Sequence, residues 1–254
     1  SCKNNLRQLA LAATMHHDVR NRLPSGWSTM ETNGWSWATQ SLPYLEQNNL
    51  YKSINRSLPV SDPANANARV AKVPTFLCPS DAGDAVFVIY GGHGDHDDED
   101  DHDHDHPTNV DHGTALFPLA KSNYVGSFGV SDVHDNPAMG EGVFFQDSLI
   151  TFGGISDGLS NTILVGERSS KLGGSTWTGV VPNANEAFCR IVGSGDHAPN
   201  DDHQHFDDFS SAHVNGAHFA FCDGSVRRIG NEISIEVYQA LITRKGKEAV
   251  ATPD

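Results

Sequence analysis

Two stretches of this chain concentrate side chains that ligate metal ions. From His93 to His112 there are eight Asp, one Glu and six His, with no Lys or Arg. In an extended chain His102, His104 and His106 share one side and the intervening aspartates, Asp103 and Asp105 among them, the other. Imidazoles two residues apart can share a cation, and interleaved carboxylates add hard oxygen ligands. The candidate ligands here are His93, His96, His102, Asp103, His104, Asp105, His106 and His112. The tract lacks the glycine that an EF-hand loop needs at its sixth position, so it is not that motif. Its plain alternative is a solvated acidic loop that holds divalent ions weakly.

The second stretch contains Asp196, His197, Asp201, Asp202, His203, His205, Asp207 and Asp208. It is less repetitive, and Asp196, His197, His203 and His205 are its candidate ligands for Ca²⁺ or Zn²⁺. The competing reading is a long polar loop whose aspartates cap its own turns.

Other chemistry is weakly signalled. Gly154-Ile155-Ser156-Asp157-Gly158 matches a nucleophile pattern that has meaning only on a strand-to-helix elbow. Here a strand-like run, Thr162 to Val165, follows it, so a turn between strands is expected. There is no His-Glu-x-x-His and no phosphate-cradling glycine loop. The chain therefore reads as non-enzymatic, with no catalytic residues assigned. Trp27, Trp35, Trp37 and Trp177 with Tyr44 would make a stacking platform for glycans if exposed; the ordinary destination of such residues is the core. His213 precedes Asp223-Gly224 by ten residues. It either pins that turn through its carboxylate or acts as a ligand.

The elements that must position these groups are read from pattern. Leu6, Leu9, Ala10 and Ala13 mark an N-terminal helix that ends near Leu23-Pro24. A second helix is expected from about Ala38 to Ile54, with Pro43 tolerable only near its first turn. Strands are expected at Val73–Cys78, Ser122–Gly126, Gly142–Phe145, Thr162–Val165, Trp177–Val181 and His218–Phe221. Asp223-Gly224 is a two-residue hairpin signal leading to Ser225–Ile229. A final helix covers Ile235–Thr243. Helices first, then an antiparallel meander, then a closing helix argue for an α+β fold in a single domain, with the tract at about 91–113 as a loop insertion.

The 254 residues carry a net charge of −15, with 17 basic and 32 acidic side chains. The tract holds −9 and the second patch −5, so the remainder is close to neutral. No basic footprint exists for nucleic acid. No apolar run reaches the ~18 residues of a membrane span. Ser1 opens into a polar helix start with no visible signal peptide, so the expectation is a soluble chain or one freed of an upstream export segment. Cys2, Cys78, Cys189 and Cys222 are widely spaced, which fits either two disulfides or four buried thiols.

Seven blocks in order resemble a large bacterial prepilin-like family of unknown function whose signature is His, nine residues, Asp-Gly. They are Cys2–Leu9; Gly34–Trp37 with Leu42–Gln47; Phe76–Asp81; Ser122–Gly126; Ile155–Gly158 through Gly166–Arg168; Phe209–Ser211 with His213; and Asp223–Val226. The resemblance implies a pilin- or pseudopilin-like architecture, an N-terminal helix packed on an antiparallel sheet, held at the cell envelope or extracellular surface. It also implies a leader and a hydrophobic helix of about 20 residues, processed by a prepilin peptidase, upstream of Ser1. Its partners would be copies of itself or other pilin-like subunits meeting through that helix, with no required cofactor and no catalytic residues. Export favours disulfides, and order along the meander suggests Cys2 with Cys78 and Cys189 with Cys222. The His/Asp tract stands outside the shared blocks.

Overall fold

The computed structural model describes residues 1–29, 31, 33–92 and 109–246. Of the tract's candidate ligands only His112 falls within them; His93, His96, His102, Asp103, His104, Asp105 and His106 lie outside.

The N-terminal helix forms as its spacing predicts. α1 spans Cys2–Arg20 and closes on Asn21, whose left-handed backbone (φ 54°) returns its N–H to the His17 carbonyl. Its inner face buries Leu6, Leu9, Ala10 and Ala13. The second expected helix breaks into three pieces: α2 (Trp37–Ser41), a 3₁₀ turn (Leu42–Leu45) and α3 (Asn48–Ser53). Pro43 cannot donate within a helix, and Glu46 sits left-handed at φ 60°, so the chain turns instead.

Among the described residues eight strands follow: β1 (Val86–Gly91), β2 (Thr114–Ser122), β3 (Tyr124–Gly129), β4 (Ile163–Glu167), β5 (Ser175–Thr176), β6 (Val192–Ser194), β7 (Ala217–Phe221) and β8 (Val226–Ile229). They build a three-stranded sheet in the order β1-β2-β5 and a five-stranded sheet in the order β6-β3-β4-β7-β8. The architecture is α+β as expected, but β6 runs parallel to β3, so the larger sheet is mixed rather than a simple antiparallel meander. The expected strand at Val73–Cys78 is a 3₁₀ turn over Pro74–Phe76, because Pro74 removes a ladder donor. Gly142–Phe145 and Trp177–Val181 form no regular strand either. Gly142 and Val143 nevertheless donate to the carbonyls of Phe128 and Ser127, at 2.6 and 2.9 Å. The Asp223-Gly224 hairpin joins β7 to β8 as read, with Gly224 left-handed at φ 85° and Asp223 accepting from the Ser225 N–H at 2.9 Å. α4 covers Ile235–Ile242.

The five-stranded sheet is covered on both faces. Alternation along β7 sends Ala220 to the side of α1, and Phe219 and Phe221 to the side of Tyr238, Leu241 and Ile242 on α4. Strands buried on both faces read as the unbroken apolar runs seen at Ile163–Val165 and Phe219–Phe221. All four tryptophans are at most 1% exposed. Trp35, Trp37 and Trp177 donate their indole N–H groups to the carbonyls of Leu58, Ile191 and Ala71. A platform of exposed tryptophans for glycans is therefore not what these residues form.

Cys2 and Cys78 form a disulfide across 76 residues of chain, with their Cα atoms 5.3 Å apart. It ties the first turn of α1 to the turn after Phe76. The expected Cys189–Cys222 pair does not form, and both thiols are buried and free. Cys189 leads into β6 and Cys222 directly follows β7, with β3 and β4 between those strands. Three strand spacings of ~4.8 Å exceed the reach of a disulfide.

Candidate functional site

The second patch folds around the end of β6. Arg168, buried directly after β4, donates from Nε to the Asp208 carbonyl at 3.0 Å. Its two terminal nitrogens donate to the carbonyls of Cys189 and Asp207. One guanidinium thus fixes the backbone that carries Asp207 and Asp208. Gly193 belongs in the same arrangement, since a Cβ there would lie 2.6 Å from the Arg168 side chain. Ser194 then donates its hydroxyl to Asp207 Oδ2 at 2.6 Å and to Asp196 Oδ1 at 3.2 Å.

On this frame one ligand atom each from Asp196, His197 and His205 lies within 4.8 Å of the other two, and the same holds for His205, Asp207 and Asp208. His205 belongs to both triads. The rings of His197 and His205 meet edge to face at 5.0 Å. His197 Nδ1 stands 3.1 Å from Asp208 Oδ2, which also accepts the His205 N–H at 2.6 Å. The Asp208 side chain is fully buried and its Oδ1 accepts no hydrogen bond. Burial, hydrogen bonding to Asp196 and the charges of Asp196 and Asp207 push Asp208 up to about 10. Burial would raise Asp196 too, but its bonds to Asp208 and Ser194 and the charge of His197 bring it below the usual carboxylate range. Burial and the nearby charges of Asp208 and Asp196 likewise hold the Tyr238 phenol well above its ordinary value.

The sequence placed four candidate ligands here, and the fold sorts them. Asp196, His197 and His205 converge. His203 does not: it is well exposed, and its amide and ring face only Asp201, in the turn-capping arrangement expected of a polar loop. Asp207 and Asp208 join the cluster in its place. His112 lies elsewhere, on the wall of an open cleft of about 1370 Å³ with Trp27, His134 and Phe188, and its ring contacts the Asn109 carbonyl at 2.7 Å.

His213 belongs to a different assembly. His213 does not pair with the Asp223 carboxylate. Its Nε2 lies 3.3 Å from Oε1 of Glu167, the buried last residue of β4, and 3.7 Å from the Cys78 sulfur. The other carboxylate oxygen of Glu167 accepts from Ser211 Oγ at 2.9 Å, and from the backbone N–H and Nδ1 of His218 at 2.7 and 3.1 Å. The His213 and His218 rings meet edge to face at 5.0 Å. Burial lowers the His218 pKa and outweighs the opposing attraction of Glu167. This junction locks β4, β7 and the 211–213 loop onto the disulfide. Reading the sequence missed Glu167 and Arg168 as organisers; the available signal was a charged pair closing an otherwise apolar strand.

Ser156 occupies no nucleophile elbow. A 3₁₀ turn (Leu159–Asn161) separates it from β4, and its N–H donates to the Arg244 carbonyl at 3.0 Å.

One helix face is also chemically distinctive. Leu11, Met15 and Val19 are 52%, 41% and 65% exposed on α1. Their spacing of four residues puts them in one ridge, opposite Leu6, Leu9, Ala10 and Ala13. No helix among the described residues is long and apolar enough to cross a membrane.

The model of a family described as "Protein of unknown function (DUF1559)", labelled SBP_bac_10, matches residues 1–236. No curated protein and no solved structure matches the chain.

Proposed function

This chain belongs to the DUF1559 family, and from that premise we propose that it is a non-enzymatic structural subunit of the cell envelope or extracellular surface. It is pilin-like in design and associates with copies of itself through α1. The observation that carries this reading is the two-sided helix. One side of α1 is buried against the sheet, while Leu11, Met15 and Val19 form an apolar ridge on the other. Water disfavours such a ridge, and packing it on the same ridge of a second copy removes that cost without any new element. The disulfide at the start of α1 supports an oxidising compartment and holds the helix in place while its outer face is engaged. The rival reading, a module that captures glycans on aromatics, is weakened by the burial of all four tryptophans.

The test is sedimentation over a range of concentrations, with electron microscopy of the most concentrated samples, on the wild type and on Leu11→Glu combined with Val19→Glu. Burial of one such side chain is worth about 1.5 kcal/mol, and a dimer of the double variant loses four of them, so it should associate about ten-thousandfold more weakly with unchanged circular dichroism. A wild type that stays monomeric throughout, or a variant that associates equally well, would overturn the proposal.

A further inference from the structure

We propose that His205, Asp208, Asp196 and His197, with Asp207 beside them, form a specific binding site for a divalent transition ion of the zinc class. This inference stands apart from the assembly role of α1. Three independent features of the patch lead to it.

The first is geometry. Two triads of potential ligands share His205, each drawn within 4.8 Å, and they arise from two separate segments brought together at the end of β6. The second is an unanswered group. Asp208 is fully buried and its Oδ1 accepts no hydrogen bond, leaving a buried acceptor position that a cation would occupy favourably. The third is the charge balance. Three carboxylates meet two imidazoles, and Arg168, the buried base beneath them, spends its donors on the carbonyls of Asp207, Asp208 and Cys189. Among the described residues the ion pairs reaching Asp196 and Asp208 come from His197. Carboxyl groups crowded in this way must share a proton or take up a cation.

Donor chemistry selects the ion. Imidazole nitrogens mixed with carboxylate oxygens suit zinc-class ions, whereas Ca²⁺ favours an all-oxygen shell. Ser194 supplies the outer support, since its hydroxyl bonds both Asp196 and Asp207 and orients them before any ion arrives.

The histidine tract could bind Zn²⁺ by itself, so the experiment separates the two. Calorimetric titration with ZnCl₂ is run on the full chain and on a full chain with His93, His96, His102, His104, His106 and His112 all replaced by Gln. The tract-substituted chain should retain one equivalent of saturable binding. Adding His205→Ala or Asp208→Asn to it should weaken that binding by ~10–100-fold, while adding His203→Ala should leave it unchanged. Asp208→Asn keeps the shape of the side chain, so its metal-free melting curve should match the parent, which separates loss of binding from loss of fold. Absence of saturable binding in the tract-substituted chain would overturn the site. So would equal affinity in the His205→Ala and Asp208→Asn chains, which would mark any bound Zn²⁺ as adventitious.

Discussion

Glu167 and Asp208 are both buried carboxylates set among histidines, and their surroundings differ in the balance of acid and base. Around Glu167 there is one acid for two imidazoles, and the chain supplies a hydroxyl, a backbone N–H and a ring nitrogen to one oxygen while His213 faces the other. Around Asp208 there are three acids for two imidazoles; one oxygen of each carboxylate, Glu167 Oε1 and Asp208 Oδ1, accepts no hydrogen bond, so the balance of acid and base is what separates the two. The first cluster has more imidazoles than acids and works as a clamp. The second is rigidly held with more acids than imidazoles, the balance on which the proposed cation site rests.

The contrast is broken most severely at the clamp. Glu167→Ala should cost about 3–5 kcal/mol in urea unfolding, because it strands the His218 amide, the Ser211 hydroxyl and two imidazoles in a buried space. Asp208→Asn should not lower the stability of the metal-free protein. Comparable losses in the two variants would erase the distinction.

Next in size is the disulfide against which His213 packs. Replacing Cys2 and Cys78 by Ser should cost about 2–4 kcal/mol, given the long loop that the bridge closes. Blocking Cys189 and Cys222 in the unfolded chain requires no reductant if they are free thiols, so mass spectrometry of denatured, unreduced protein should show two alkylations. Four or none would contradict the pairing.

The smallest effect concerns a third carboxylate that the chain fully satisfies. Asp81 pairs with buried Lys121 at 3.1 Å and accepts from the Ser170 N–H and hydroxyl at 2.8 and 2.5 Å. Burial alone would raise its pKa, but the Ser170 bonds and Lys121 bring it below the usual range. A carboxylate depressed on folding stabilises the native state above its ordinary value of ~3.9 and loses that contribution as pH falls through the folded value. Asp81→Asn should therefore flatten the fall in stability below about pH 4. An unchanged acid slope would show that Asp81 is not among the groups that drive it.

How much of this was legible beforehand depends on the range of each interaction. The apolar periodicity of Leu6, Leu9, Ala10 and Ala13 and the Asp223-Gly224 turn are local, and the elements they predict are present. Pro43 warned of a break, but only the left-handed Glu46 shows where the helix stops. β1 and the first half of β2 escaped notice because their alternation is irregular, with a register shift between Ile89 and Tyr90. Order along the meander suggested both pairings; Cys2–Cys78 forms, whereas the second fails because β3 and β4 come between the strands next to its cysteines.

The same boundary runs through the candidate site. Residue types and local spacing determined that a His/Asp patch lay at 196–208, that α1 had an apolar face, and that His213 mattered to a hairpin-bearing fold. Tertiary structure alone decided that His203 faces solvent while Asp208 is buried, and that His213 answers Glu167 rather than Asp223. The partners that decide these points lie 44 and 51 residues from Glu167, and 39 and 40 residues separate Arg168 from the backbone it holds. Local pattern specifies which groups are available, but the burial and distance that set their electrostatics exist only once those distant segments have packed together.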